Sequence, residues 1–281
     1  MDGKIIANET LTIMRQGYYE CEGRRIDIKT DMEKSISHSI LFTPKQGEDI
    51  LKKYEKTSVP AAERLKFSEV ENISTVDAIR KMTEEGRKEI GVLNFASARN
   101  PGGGFINGAM AQEESLAASS TLYRTLLAPE EYYKSNRAQN SMMYTDYGIY
   151  SPDVVFFRDG RFTLTDTPVK ASVLTLPAVN MGQVLQKGED IRLAQKVMRR
   201  RMKLALAVFA EQGAKNLILG AYGCGVFRND PAAVAVWWKE ILEEGMEKYF
   251  ESVFYAVLDR SRGGNCFGAF QKVFGGSSST I

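Results

Sequence analysis

Residues 100–115 read NPGGGFINGAMAQEES. Gly102, Gly103 and Gly104 remove the Cβ from three successive positions, so the backbone there can approach a ligand closely and offer its N–H groups to an anion. Phosphate is the guest such a cradle suits, and a plain turn is the competing use of the same glycines. After a seven-residue spacer come Gln112, Glu113 and Glu114, at the start of a helical pattern. Neighbours in a helix point in different directions, so two adjacent carboxylates are not expected to flank one bond as an ordinary glycosidase pair does. A division of labour fits better, one acid acting in catalysis and the other holding substrate. Acidic residues also favour the positive end of any helix, with no further purpose.

A second stretch, GAYGCGVFRNDP at 220–231, places Gly220, Gly223 and Gly225 ahead of a helix whose N-terminus favours negative charge. Neither stretch carries the G-x-G-x-x-G or G-x-x-x-x-G-K-S/T nucleotide signatures. Two Gly-rich loops at one sheet edge suit a diphosphate lying between them. Phe227, directly after the second loop, could stack on a sugar or base, although a lone aromatic also belongs in a core. Cys224 has small neighbours, but the only histidine, His38, is far away in sequence, so a Cys–His mechanism is not expected. One histidine with Cys21, Cys224 and Cys266 scattered along the chain gives no zinc pattern.

The elements that must position these loops follow from periodicity. Before residue 66 the pattern is helical, at about 9–16, 27–37 and 48–56, with no strand strong enough to start a sheet. Beyond it short β-rich runs alternate with helices. LKFSEVEN reads as a strand; the next helix has Ser74 as N-cap and Gly86 as its stop. EIGVLNFA reads as a strand buried on both faces, and EESLAASSTLYRTLL as one helix of small and aliphatic residues. A β-rich middle (DVVFFRD, KASVLTLPAV) precedes a long amphipathic helix at about 190–211. Its basic cluster Lys196, Arg199, Arg200, Arg201 and Lys203 is expected on a solvated face, with polyanion contact as the lesser alternative. AKNLILGAYG is another buried strand, Asp230 and Pro231 open a helix, SVFYAVLD is a strand, and a helix at about 265–273 closes the core. Strands alternating with helices imply an α/β sandwich with helices on both faces, and such sheets bind ligands outside their carboxyl ends.

Composition narrows the class. The 281 residues, 43% hydrophobic and 26% charged, are those of an ordinary globular chain. With 37 basic against 35 acidic residues there is no whole-molecule field to gather a polyanion, so a nucleotide-like ligand needs a local site. Few, odd-numbered cysteines point to a reducing compartment. The opening MDGKIIANE does not read as a signal peptide, and the apolar run at 204–210 is too short for a membrane helix; a cytoplasmic protein is expected.

Together, VLNFASARNPGGGFINGAMAQEESLAASSTLY, SPDVVFFRDG, GAYGCGVFRNDP and VFYAVLD resemble the bacterial-type poly(ADP-ribose) glycohydrolases, enzymes built on a macrodomain; the likeness runs from about residue 66 to 274. It implies a three-layer α/β/α fold with a mixed central sheet and an N-terminal helical extension. The divisions expected are 1–60 for the extension, 61–275 for the catalytic domain and 276–281 for a flexible tail. It implies Glu114 as catalytic acid, near a helix start and walled by apolar neighbours, and Glu113 as its partner on the ribose hydroxyls, with Gln112 shaping the site. Asn100, Gly102, Gly103 and Gly104 would hold the diphosphate and distal ribose, and Gly223, Gly225, Val226 and Phe227 would close the other side. For adenine the family places an acid after the first strand and an aromatic near the C-terminus, where Glu71–Asn72 and Phe267 or Phe270 stand here. The implied activity is metal- and cofactor-independent release of ADP-ribose from poly(ADP-ribose) chain ends by a monomer, with ADP-ribosylated proteins as further partners and no membrane or sequence-specific nucleic acid. A non-catalytic ADP-ribose reader, or a hydrolase of mono-ADP-ribosylated protein or nucleic acid or of acyl-ADP-ribose, would use the same cradle.

Overall fold

The computed structural model describes residues 2–55 and 67–275. The boundary expected between 60 and 61 and the tail expected at 276–281 lie outside them. Helix α1 (Gly3–Gln16) is capped by the Asp2 carboxylate on the Lys4 N–H and stopped by Gly17 in the left-handed region. A hairpin of β1 (Tyr18–Cys21) and β2 (Arg24–Asp27), helix α2 (Lys29–Ser37), strand β3 (Ile40–Phe42) and helix α3 (Pro44–Glu55) follow. The purely helical reading of this region therefore needs correction. These strands are three or four residues long: β1 and β2 pair with each other across a two-residue turn, and β3 lies antiparallel to a strand more than a hundred residues away. Such short runs carry too little alternation to stand out in sequence.

The rest of the chain supplies β4 (Phe67–Glu71), α4 (Thr75–Glu84), β5 (Ile90–Ala96), α5 (Gln112–Ser119), α6 (Leu122–Leu126), α7 (Glu130–Ala138), β6 (Gly148–Arg158), β7 (Leu164–Pro177), α8 (Met181–Lys187), α9 (Ile191–Glu211), β8 (Asn216–Leu219), α10 (Pro231–Ile241), β9 (Ser252–Ala256) and α11 (Asn265–Phe274). The sheet order is β3-β6-β7-β5-β8-β9-β4, parallel from β7 to β4 and antiparallel at β6 and β3. Alternate residues of β5 serve two cores. Leu93 faces the layer of α3, α8, α9, α10 and α11, whereas Ile90 and Val92 face that of α4 to α7. The architecture is a three-layer α/β/α sandwich around a mixed sheet, with α1 added outside α5: Ile6 and Ala7 pack with Phe105, Ala117 and Ala118, and Thr10 Oγ1 donates to the Ala118 carbonyl at 2.7 Å.

Three further expectations change. The single helix read through EESLAASSTLYRTLL breaks at Ser120, which is extended and bridges to Phe156; its hydroxyl donates to the Leu116 carbonyl and accepts the Leu122 N–H. Serine competes for backbone groups in this way and interrupts helices. The middle also contains helices α7 and α8, beyond the strands expected there. Finally, Arg201 is buried, not solvated. Its guanidinium meets Asp146 at 2.9 Å and donates to the Met143 and Pro177 carbonyls, tying α9 to the end of β7. Burial alone would raise the Asp146 pKa, but Arg201 and Arg200 hold it below the usual carboxylate range. Arg199 pairs with Glu240 and Glu244, and Arg200 with Glu48 and Asp146, so much of the cluster is engaged in binding the fold together.

Candidate active site

Strands β5, β7 and β8 run parallel, and the residues just past their carboxyl ends, Ser97, Ala178 and Ala221, line one cleft of about 680 Å³. This is where an open α/β sheet is expected to bind. Helix α5 is docked onto β5 through Gln112. Its side-chain amide accepts the Phe95 N–H (2.9 Å) and donates to the Leu93 carbonyl (2.9 Å), completing backbone groups of β5 as a neighbouring strand would. Gln112 therefore shapes the site by fixing where Glu113 and Glu114 begin.

Glu113 is the buried acid, only 3% exposed. One carboxyl oxygen accepts the Ser97 N–H at 2.6 Å and the other the Asn94 side-chain amide at 3.3 Å, while that amide also donates to Thr175 Oγ1 at 3.1 Å. Burial pushes the Glu113 pKa up to about 8; the Ser97 and Asn94 hydrogen bonds oppose this and the nearby Glu114 charge adds to it. The picture of Glu114 as the walled-in acid is thus corrected, because helical geometry turns Glu113 under β5 and leaves Glu114 half-buried toward the glycine loop. Glu114 Oε1 accepts the Gly104 N–H at 2.8 Å.

That loop requires glycine at 103. Its φ is +59°, and a Cβ there would overlap the Glu114 carboxylate and lie 3.0 Å from Glu113 Oε2. The loop is a tight coil. Ser97 Oγ accepts the N–H groups of Arg99 and Asn100, and the Asn100 carbonyl accepts that of Gly103. Behind it, α1 comes so close to Gly108 that a side chain at either Gly3 or Gly108 would meet backbone of the other segment.

The facing loop is held from below. Tyr222 donates to the Leu176 carbonyl (2.8 Å) and Trp238 to that of Gly220 (3.1 Å). Gly223 has φ +72°, and a Cβ would sit 2.6 Å from Asn229 Nδ2 and 2.7 Å from the Ala178 methyl. Val226 is 84% exposed on the rim, and Phe227 is half-buried, its ring 6.1 Å from that of Tyr144.

The structure brings together Asn100, Gly103, Gly104, Gln112, Glu113, Glu114, Gly223, Gly225, Val226 and Phe227 around the cleft. Gly102 lies buried just beneath it, against Tyr123. Phe267 is not in the lining; its N–H is held by Asp259, and Phe270 is fully buried in the core. Glu71 is engaged by Lys81, and Asn72 pairs with the Asp259 backbone in both directions. Asp259 itself accepts N–H groups of Ser261, Cys266 and Phe267, and these with the Ser261 hydroxyl hold its pKa down at about 2. Cys224 and Cys266, distant in sequence, come within side-chain hydrogen-bonding reach, and His38 lies exposed at the end of α2. Among the described residues no group of three or more His, Cys, Asp or Glu is arranged to hold a metal ion, and no helix is long and apolar enough to cross a membrane.

Residues missed from sequence include Asn94, Ser97, Tyr123, Ala178 and Ala221. Asn94 left a signal, as a polar residue inside the apolar run VLNFA needs a buried partner. Ser97, Ala178 and Ala221 had only their position after a strand, and Tyr123, in α6, left no local signal. Among the described residues the lining contains no Lys or Arg, so an anion in the cleft meets backbone N–H groups and two carboxyls.

Comparison with known proteins gives both a family match and close fold matches. The sequence profile of the microbial-type PARG catalytic domain matches residues 7–159. The crystal structure of poly(ADP-ribose) glycohydrolase from Thermomonospora curvata superposes with a TM-score of 0.92 at 34% identity, over 97% of this chain and 99% of that one. The same enzyme bound to the inhibitor ADP-HPD gives 0.89 at 35%, over 97% and 99%. The Deinococcus radiodurans enzyme in complex with ADP-ribose gives 0.81 at 40% identity, over 88% and 98%. No curated protein matches the chain.

Proposed function

The chain belongs to the microbial-type poly(ADP-ribose) glycohydrolases, and from that premise we propose that it hydrolyses the ribose–ribose glycosidic bond of poly(ADP-ribose), releasing ADP-ribose from chain ends. The observation that carries the reading is the adjacent carboxyl pair at the start of α5, one buried under β5 and the other bonded to the Gly104 N–H of the anion cradle.

In this reading the diphosphate lies between the two glycine loops, held by backbone N–H groups, with Phe227 against a ribose. The distal ribose sits over Glu113 and Glu114. Glu113, its carboxyl pKa raised by burial to about 8, is largely neutral at pH 7 and can exchange hydrogen bonds with the ribose hydroxyls without adding negative charge beside the diphosphate. Glu114 protonates the departing ribose oxygen as the bond opens toward an oxocarbenium ion, then takes a proton from the attacking water. The bound diphosphate stabilises the cationic sugar as the bond opens, so the route requires no metal. Residues 1–60 then act as an extension of the catalytic unit at 61–275, with β3 at the sheet edge and α1 behind the cradle. The three free cysteines suit a cytoplasmic location.

The test is release of ADP-ribose from purified poly(ADP-ribose) in the presence of a chelator. The native protein is expected to turn over, and Glu114→Gln to lose about 10²–10⁴-fold in kcat with ADP-ribose affinity retained. Full turnover by the variant would remove Glu114 from its role. Binding without turnover by the native protein would make the chain a reader.

A further inference from the structure

The cleft accounts for one ADP-ribose unit, but the substrate is a polymer whose next unit carries its own diphosphate. The cations that could meet it lie outside the lining. Arg99 and Arg137 are both exposed, and the Arg137 guanidinium donates to the Arg99 carbonyl at 2.6 Å. That bond fixes a guanidinium on the lip formed by residues 97–100, where Asn100 lines the cleft and the Ser97 N–H holds Glu113. On the helix that carries Arg137, Glu130 pairs with Lys134 at 2.5 Å and lies within electrostatic reach of Arg137, and Glu131 accepts from the Ser135 hydroxyl at 2.7 Å. Neither arginine has an ion-pair partner among the described residues, so both guanidinium charges are available to an anion.

We propose that Arg99 and Arg137 form a binding site for the diphosphate of the ADP-ribose unit on the leaving side of the scissile bond. The inference rests on the glycohydrolase reading, which puts the distal ribose over Glu113 and Glu114. The lip beside Glu113 is then where the remaining chain departs. A guanidinium already anchored to a carbonyl loses less freedom on meeting phosphate than a loose one, and its remaining N–H groups form charge-assisted hydrogen bonds. With a near-neutral molecule and a cation-free lining, attraction for the polymer has to come from local cations such as these two on the lip.

The experiment compares the native protein with Arg99→Ala, Arg137→Gln and Arg137→Lys, measuring steady-state hydrolysis of poly(ADP-ribose) over a range of salt concentrations and ADP-ribose binding by calorimetry. Arg99→Ala leaves the Arg99 carbonyl, and so the anchor, in place. Arg99→Ala and Arg137→Gln should each raise KM for the polymer by about tenfold, the size of a lost charge-assisted hydrogen bond, and flatten the salt dependence of kcat/KM. The kcat at saturation and the ADP-ribose Kd should stay unchanged, and Arg137→Lys should recover part of the KM. An unchanged polymer KM and salt slope would overturn the proposal, as would an equal loss of ADP-ribose affinity, which would move the arginines to the unit in the cleft. Absence of turnover by the native protein would instead refute the glycohydrolase reading on which the site depends.

Discussion

Glu113 should make the protein less stable as pH rises through neutrality, and Glu113→Gln should remove that dependence. The carboxyl ionises at 4.5 in an exposed chain and at about 8 in the fold. Below 4.5 it is neutral in both states, and the folded state carries no penalty. Between those values the unfolded chain releases the proton that the folded chain keeps, so stability falls with rising pH until the folded group also ionises. The raised pKa corresponds to roughly 5 kcal/mol in full, of which about 3–4 kcal/mol is lost between pH 5 and pH 8. Glutamine has nearly the same volume, stays neutral throughout, and keeps one oxygen to accept the Ser97 N–H or the Asn94 amide. Urea unfolding at pH 5, 6, 7 and 8 measures the difference. The variant should gain on the native protein by about 3–4 kcal/mol across the series, other carboxylates cancelling because both proteins share them. Parallel curves would show that Glu113 is not held neutral by burial, and the separation of roles between the two acids would lose its physical basis.

Two further outcomes test the cradle. Gly103→Ala should cost about 1–2 kcal/mol in stability from the left-handed backbone and should displace the Glu114 carboxylate, so that turnover falls far more than unfolding midpoints do; unchanged kcat would show that the carboxylate position there is not critical. Phe227→Ala should weaken ADP-ribose binding by about 1–3 kcal/mol in calorimetry if the ring stacks on the ligand, and an unchanged Kd with the fold intact would return Phe227 to a packing role.

The sequence by itself determined the sandwich and the two loops. Ile90–Ala96 is apolar enough to be buried on both faces, Asp230 followed by Pro231 starts α10, and the glycines at 102–104 and at 223 and 225 mark where backbone can approach a ligand or turn sharply. These signals are local: each depends on residues a few positions apart. The tertiary structure decided what local patterns do not encode. Strand β3 exists because β6 offers it a free edge, and Arg201 is buried because Asp146 and the Met143 and Pro177 carbonyls converge on it from other segments. Cys224 meets Cys266 only once α11 folds back beside the second loop. Most of all, the two adjacent glutamates were equivalent in sequence. Their environments diverge because docking Gln112 onto β5 sets the phase of α5, turning Glu113 into a dry, hydrogen-bonded pocket and Glu114 toward the backbone of the cradle. Burial and hydrogen bonding set a carboxyl's proton affinity, and both are properties of the assembled fold.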